Sequence, residues 1–281
     1  MYPIPTILQP ISTLLLTLTQ PIHPSLFPVA CLPIIHACRI SIAYRTLNKQ
    51  AGGTTSAVAN LAGFLLMAWG GSMVSHVLLS LPIPQLLSFR PMIVYGTTYF
   101  CLPDIARLPS MKTLDCLFPL VDALLRTTSI AAGVEACRHH PSSAAIKDSL
   151  SIQLFIGAIV SSAGTIAAQS LCIWEPVWRL NRPTFLQHGT LLAATDVWAG
   201  ALVAAIYGAL TASHPDYPRL IRSLYPFAVT HDPILSSIDA KAAAASVLTL
   251  IYSWRAYRVH YSNRIVPGTH YDNEKSKSKQ E

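Results

Sequence analysis

The chain has 281 residues, of which 52% are hydrophobic and 12% are charged, and its formal net charge is +7. Soluble domains carry roughly 25% charged residues, so this composition excludes an ordinary soluble globular protein and indicates a polytopic membrane protein. In a membrane protein, positive charge carries information on orientation before it suggests a nucleic-acid partner, and we expect no such partner.

The cysteines and histidines do not indicate catalysis or metal binding. The cysteines lie in or beside apolar runs without metal-ligand spacing, and we interpret them as small buried hydrophobic residues. They are Cys31, Cys38, Cys101, Cys116, Cys137 and Cys172. The pair His139 and His140 is interpreted as a solvated loop pair, because no cysteine or carboxylate lies at ligand spacing. We therefore expect neither an enzyme nor a metal site.

The first 25 residues contain no charged side chain. The apolar run Ile11–Leu18 is too short to cross a membrane, and a signal peptide would begin with basic residues. We therefore predict an uncharged luminal lead-in over residues 1–25 and one membrane domain over residues 26–258. Its first span is predicted from Leu26 to about Tyr44.

The second predicted span, Asn60–Leu81, is an apolar stretch of 22 residues without a charge. Its midpoint holds Gly70, Gly71 and Ser72, which weaken a helix. Such a break is tolerated in a membrane where protein or a water-filled cavity satisfies the freed backbone groups. The alternative is tight helix packing through small residues.

The fourth predicted span carries an unusual load of charge for a membrane helix, so we expect it to face protein or water. Its charged residues are Asp115, Asp122, Arg126 and Glu135. The third to seventh spans are predicted at Met92 to about Ala106, Leu114 to about Ala136, Leu150 to about Ile173, Phe185 to Leu210, and about Ala240 to Trp254. Residues 259–281 are polar and are predicted to be a disordered tail.

Lysine and arginine concentrate on the cytoplasmic side of short loops, so their distribution predicts orientation. With seven spans and a luminal N-terminus, thirteen basic residues fall on the cytosolic side: Arg39, Arg45, Lys49, Arg107, Lys112, Arg179, Arg182, Arg255, Arg258, Arg264, Lys275, Lys277 and Lys279. Five fall on the other side: Arg90, Arg138, Lys147, Arg219 and Arg222. This favours a luminal N-terminus and a cytosolic C-terminus.

The second and fifth predicted spans share a pattern of glycine and proline. Gly63, Gly70 and Pro82 recur as Gly157, Gly164 and Pro176, with an offset of 94 residues. Each of the two helices is the middle one of a three-span unit, and two such units joined directly insert with opposite orientation. The pattern therefore predicts an inverted repeat of three plus three spans with a site near the membrane midplane.

Four stretches of this sequence resemble the trimeric intracellular cation (TRIC) channel family. They are Phe27–Val29, the MAWGGSMVSHVLL segment of the second span, Phe100–Asp104 and Leu124–His140. The resemblance covers about residues 26–258. It implies an all-α polytopic membrane protein with seven transmembrane helices, an inverted repeat of three plus three and an added seventh helix.

The same resemblance implies a homotrimer with one pore in each protomer. It implies potassium permeation across the membrane of the endoplasmic reticulum, or of the nuclear envelope, that balances charge during calcium release. Glycine-rich kinks in spans two and five shape the pore in this family, which corresponds here to Gly70, Gly71 and Gly164.

The chain departs from the family pattern in span four. The Lys-Glu-Val motif of the family falls at Asp122, Ala123 and Leu124, so the expected lysine is absent, while the basic residue one turn later is kept as Arg126. The lysine of span five falls at Val160. No cofactor is expected, and the resemblance implies only contact with membrane lipids, including an anionic phospholipid.

Three groups of residues are the candidate site. The pore or helix-kink residues are Gly70, Gly71, Ser72, Ser161, Ser162 and Gly164. Arg126 and Asp122 are candidates for lipid binding or gating, and the alternative is a structural ion pair between them at i,i+4 spacing. Asp104 and Asp196 are candidates for permeation, although a helix cap or a hydrogen bond within the bundle would also explain them.

Two alternatives to a channel stay open at this stage. One is a seven-helix carrier of small solutes, whose repeats are parallel and separated by a linker helix. The other is a non-conducting membrane scaffold that binds lipid. The direct joining of the two three-span units favours the inverted plan of a channel.

Overall fold

A computed structural model describes residues 6–53, 56–102, 109–224 and 233–262, and these residues are mostly helical. The helices are α1 Gln9–Thr19, α2 Cys31–Gln50, α3 Ala57–Leu78, α4 Arg90–Cys101, α5 Met111–Leu117, α6 Pro119–Arg138, α7 Ala144–Lys147, α8 Leu150–Leu171, α9 Thr184–His188, α10 Thr195–Thr211, α11 Asp216–Leu224 and α12 Ser237–His260. Two short strands, β1 Pro21–His23 and β2 Phe27–Ala30, pair antiparallel between α1 and α2.

The helix of the first predicted span starts later than predicted. Residues from Leu26 to Ala30 belong to the hairpin and its turn, and α2 runs from Cys31 past Tyr44 to Gln50. Proline has no amide hydrogen to donate and restricts its own backbone and that of the preceding residue. Pro28 disfavours helical conformation at Phe27, and residues 27–30 pair with β1 as an extended strand, so the helix begins at Cys31 and the predicted start was wrong.

The N-terminal segment forms a helix that packs onto the bundle. Pro10 occupies the first turn of α1, where its missing amide hydrogen has no partner to lose. Leu15 is fully buried and lies in one cluster with Leu124 of α6 and Ala245 of α12. The sequence did not indicate this contact, because α1 is too short to be recognised as a membrane element.

Two helices in the described part of the chain, α3 and α8, are each long and apolar enough to cross a membrane alone. Two further pairs qualify if each is one broken span: α5 with α6, bent by 75°, and α10 with α11, bent by 83°. The first bend lies at Phe118, next to Pro119, because a residue before proline is disfavoured in helical conformation. The chain is an all-α polytopic membrane protein.

The core has two parts. One is built around α6, α10 and α12 and includes Val203, Tyr207 and Leu248. The other joins α2, α3 and α4 and includes stacked rings of Phe64 and Tyr99, 4.9 Å apart. Of the cysteines, Cys137 and Cys172 are buried as expected, whereas Cys101 is exposed.

The two parts meet where α3 crosses α8. A Cβ atom on Gly70 would lie 2.8 Å from the Cα of Gly164, and one on Gly164 would lie 2.5 Å from the carbonyl oxygen of Met67. Both helices run without interruption through these glycines. The predicted helix break at Gly70 and Gly71 was therefore wrong. The structure supports the alternative, in which small residues let two helix backbones approach closely.

Gly70 and Gly164 are also equivalent positions of the 94-residue repeat. When a two-fold axis relates two similar units, equivalent residues face each other at that axis. The direct approach of Gly70 and Gly164 is consistent with such an arrangement. The repeat read from glycine spacing thus corresponds to a contact in the fold.

Candidate functional site

A cavity of about 380 Å³ lies inside the bundle between α2, α3, α6, α8, α10 and α12. Its lining includes small residues of the crossing helices, among them Gly71, Ser72 and Gly164. Six charged side chains also line it: Arg39, Arg126, Arg255, Asp115, Asp122 and Asp196. Ionisable residues within membrane segments mark functional sites by default, and here positive and negative charges are equal in number.

Asp122 pairs with an arginine of another helix. The Nη2 atom of Arg39 donates to the Asp122 carboxylate at 2.8 Å, which links α2 to α6. The two side chains are 11% and 22% exposed, so the pair is largely shielded from water. Within the described residues no ion pair joins Asp122 to Arg126, so the alternative of a structural pair at i,i+4 spacing is not what the structure shows.

Arg126 instead points toward α8 and α10. One guanidinium nitrogen donates to the carbonyl oxygen of Ser161, and the other lies 3.5 Å from the carboxylate of Asp196. The guanidinium also faces the ring of Tyr252 on α12, 5.7 Å from its centroid. Arg126 therefore contacts three helices that surround the cavity.

Asp196 is shared by two arginines. Arg255 of α12 donates to it at 3.0 Å, and Arg126 approaches its other oxygen. The carboxylate lies in the first turn of α10, where the helix dipole also favours negative charge. Asp196 thus connects α6, α10 and α12 in one network.

The third cavity carboxylate is paired as well. Asp115 of α5 lies 2.9 Å from the Nε2 atom of His260, near the end of α12. All three cavity carboxylates therefore have a basic partner. A further polar contact joins two helices beside the cavity, where Nδ1 of His36 lies 2.6 Å from the hydroxyl of Tyr95.

The structure brings most of the predicted site residues together. Gly71, Ser72, Ser161 and Gly164 line the cavity with Asp122, Arg126 and Asp196. Gly70 lies at the helix crossing, and the buried hydroxyl of Ser162 donates to the Ala158 carbonyl oxygen at 2.7 Å. Asp104 lies outside the described residues.

Arg39 and Arg255 were not predicted as site residues, because they were counted among the basic residues that flank the spans. Arg39 stands inside the first predicted span, and an arginine within a span is a functional candidate by default, so that rule would have identified it. Arg255 lies one residue beyond the predicted end of the last span. Its helical spacing from Tyr252 is three residues, which places both side chains on one face of α12.

The prediction of a solvated histidine pair was wrong for His140, whereas His139 is exposed as predicted. His140 is 4% exposed, and its Nε2 atom lies 2.8 Å from the carbonyl oxygen of Leu79, so it joins two chain segments. His139 is exposed and lies 3.2 Å from Glu135. In the ranges that the structure covers, no group of three or more His, Cys, Asp or Glu residues is placed to hold a metal ion.

Neither the family models nor the curated proteins gave a match to this sequence. Among solved structures, the chain is similar to a TRIC counter-ion channel described in connection with calcium release, with a TM-score of 0.54 and 13% identity over 81% of this chain and 92% of that one. It is also similar to a trimeric intracellular cation channel from C. elegans, with a TM-score of 0.47 and 14% identity over 88% of this chain and 94% of that one. The first of these two similarities shows that the chain has the fold of the TRIC channels.

Proposed function

We propose that the chain is a monovalent cation channel that carries potassium across the membrane of the endoplasmic reticulum. In this role it supplies counter-ion flux that balances charge during calcium release, and it acts as a homotrimer. The proposal is supported by the fold shared with a TRIC counter-ion channel and by the charged cavity within the bundle. This is a transport role and not an enzymatic one.

The cavity is the observation that carries the proposal. A volume of about 380 Å³ has room for roughly ten water molecules, so it can admit an ion with part of its hydration shell. The carboxylates of Asp115, Asp122 and Asp196 at the lining are oxygen groups of the kind that bind cations. Charged side chains around a cavity are unusual between membrane helices and support a role in ion transport.

The second candidate is a non-conducting protein that binds lipid. One observation favours it: all three cavity carboxylates are already paired with Arg39, Arg126, Arg255 or His260. In the proposed channel, the same pairing describes a closed state that has to rearrange before a cation passes.

Potassium flux distinguishes the two candidates. With a protonophore present so that protons replace the departing charge, purified protein in potassium-loaded liposomes should release potassium faster than protein-free liposomes, and valinomycin should then release the remainder in both. Ser72→Leu places bulk into the cavity and should reduce the flux, whereas Val74→Leu adds bulk on an exposed position of the same helix and should not. No flux from correctly assembled protein, with a normal valinomycin response, would contradict the channel.

A further inference from the structure

Helix α11 is a short amphipathic helix outside the cavity network. At 100° of rotation per residue, Tyr217, Leu220 and Ile221 share one side of the helix, and Arg219 and Arg222 share the opposite side. The helix follows α10 after a bend of 83°. If α10 crosses the membrane, α11 runs parallel to the membrane surface at its end.

Only part of the apolar side of α11 is covered by the protein. Tyr217 is buried and packs against Gly208 of α10, where a Cβ atom would lie 2.6 Å from its ring. Leu220, on the same side, is 57% exposed. The buried ring anchors α11 to α10 and leaves Leu220 directed away from the bundle.

The basic side of α11 is available for an anionic partner. Arg219 is 74% exposed and shares its charge with Asp216 at 2.9 Å. Arg222 is exposed and, in the part of the chain that the structure covers, has no acidic group within ion-pair distance. Arg222 is therefore the stronger candidate for an external contact.

We infer that α11 lies in the membrane interface and binds the phosphate groups of anionic phospholipids through Arg222 and Arg219. In this position Leu220 enters the boundary of the acyl chains while the two guanidinium groups stay at headgroup level. Basic residues opposite apolar ones are the pattern of helices that lie in the plane of a membrane surface. Guanidinium groups bind phosphate oxygens in pairs, which favours a lipid phosphate over a neutral headgroup.

This site is separate from the cavity and does not depend on ion conduction. The inference can therefore hold whether or not the chain is a channel. A membrane surface is favoured over a protein partner because α11 turns by 83° from α10 and carries an exposed leucine on one side and exposed arginines on the other.

Hydrogen exchange of the full chain in nanodiscs tests the inference. We expect the amides of α11 to exchange about fivefold more slowly with phosphatidylserine present than in phosphatidylcholine alone, since one arginine near an anionic surface contributes about that factor. Arg222→Gln should remove most of this difference, and combined replacement of Arg219 and Arg222 by Gln should remove it completely. Leu220→Ser should speed exchange in both lipids.

Arg90→Gln is the matched control, because it removes the same charge from another exposed position outside α11. It should leave the lipid dependence of α11 unchanged. Equal exchange of α11 in both lipids would overturn the inference. Slow exchange in both lipids that is insensitive to Arg222→Gln would assign α11 to a protein contact and would overturn it as well.

Discussion

The guanidinium of Arg39 lies 2.8 Å from the carboxylate of Asp122 and joins α2 to α6 beside the cavity. The family that this sequence resembles has a lysine at the position of Asp122. Here the positive charge at this place comes instead from Arg39, on the neighbouring helix α2. The positive charge thus lies on α2 and not on α6, and the Asp122 carboxylate balances it within the pair.

This pair can be tested by exchanging its charges. Asp122→Asn should leave a largely shielded guanidinium without its partner and lower the free energy of unfolding by about 3 kcal/mol. The double variant Arg39→Asp with Asp122→Arg should recover part of that loss. Thermal unfolding of the purified protein measures the stability of both variants. A double variant less stable than Asp122→Asn would show that the loss of stability depends on other neighbouring residues and not on the pair.

Because two arginines share Asp196, removing the charge of Asp196 should cost more stability than removing the charge of Arg126. Asp196→Asn leaves both Arg126 and Arg255 without a carboxylate, whereas Arg126→Gln leaves Asp196 still paired with Arg255. Because each unpaired charge in a shielded site is costly, we expect Asp196→Asn to destabilise the protein by about 2 kcal/mol more than Arg126→Gln. Equal losses in a thermal unfolding series would mean that Arg255 does not contribute.

The close crossing of α3 and α8 predicts a strong effect of one methyl group. Gly164→Ala would place its Cβ 2.5 Å from the Met67 carbonyl oxygen, so the two backbones must separate, at a cost of about 1–3 kcal/mol. Gly96→Ala is the control: no atom lies within 4 Å of the added Cβ, and alanine favours the helix. It should be neutral or stabilising. A harmless Gly164→Ala would contradict the close approach.

The same crossing bears on conduction. Because Gly71 lines the cavity, replacement of both Gly70 and Gly71 by Leu is expected to lower conductance even where the protein assembles. Unchanged single-channel conductance in an assembled double variant would leave only a packing role for these glycines.

Helices α3 and α8 were predictable from hydrophobicity because lipid requires long uninterrupted apolar segments, whereas the predicted span Phe185–Leu210 is divided between α9 and α10. The glycine repeat identified α3 and α8 as equivalent helices, but their contact was not predicted, and the structure shows that small residues let the two backbones approach closely. The partners of Asp122 and Arg126 could not be predicted. Helical spacing reports which residues share a helix face, whereas Arg39 and Asp196 reach the site from other helices by tertiary packing.

The hairpin at residues 21–30 and the docking of α1 were missed for a related reason. Both segments lack charge and were too short or too rich in proline for a membrane pattern. Their positions depend on contacts such as that of Leu15 with Leu124 and Ala245, which no local pattern encodes.

The orientation of the chain remains a prediction from its charge distribution. Protease added to intact microsomes should remove residues after the last helix and spare a tag placed before Tyr2. Detergent should then expose that tag. Digestion of the N-terminal tag in intact microsomes would show that the number of spans is even or that the orientation is reversed.

Arg126 offers the most specific test of its predicted role in gating. Its two terminal nitrogens reach different partners, the Ser161 carbonyl oxygen and the Asp196 carboxylate, and a lysine ammonium cannot replace both contacts from one position. We expect Arg126→Lys to fold, with stability within about 1 kcal/mol of the parent, because Asp196 keeps Arg255. The loosened link between α6 and α8 should change the open probability.

The control for this substitution lies on the same helix. Arg138→Lys makes the same replacement near the end of α6, where Arg138 is 39% exposed and lies 3.8 Å from Glu135. It should leave gating unchanged. Single-channel recordings of both variants, with thermal unfolding of each purified protein alongside, separate the two roles. An unchanged open probability in Arg126→Lys would assign Arg126 to structure alone, since the charge is retained while the two-partner geometry is lost.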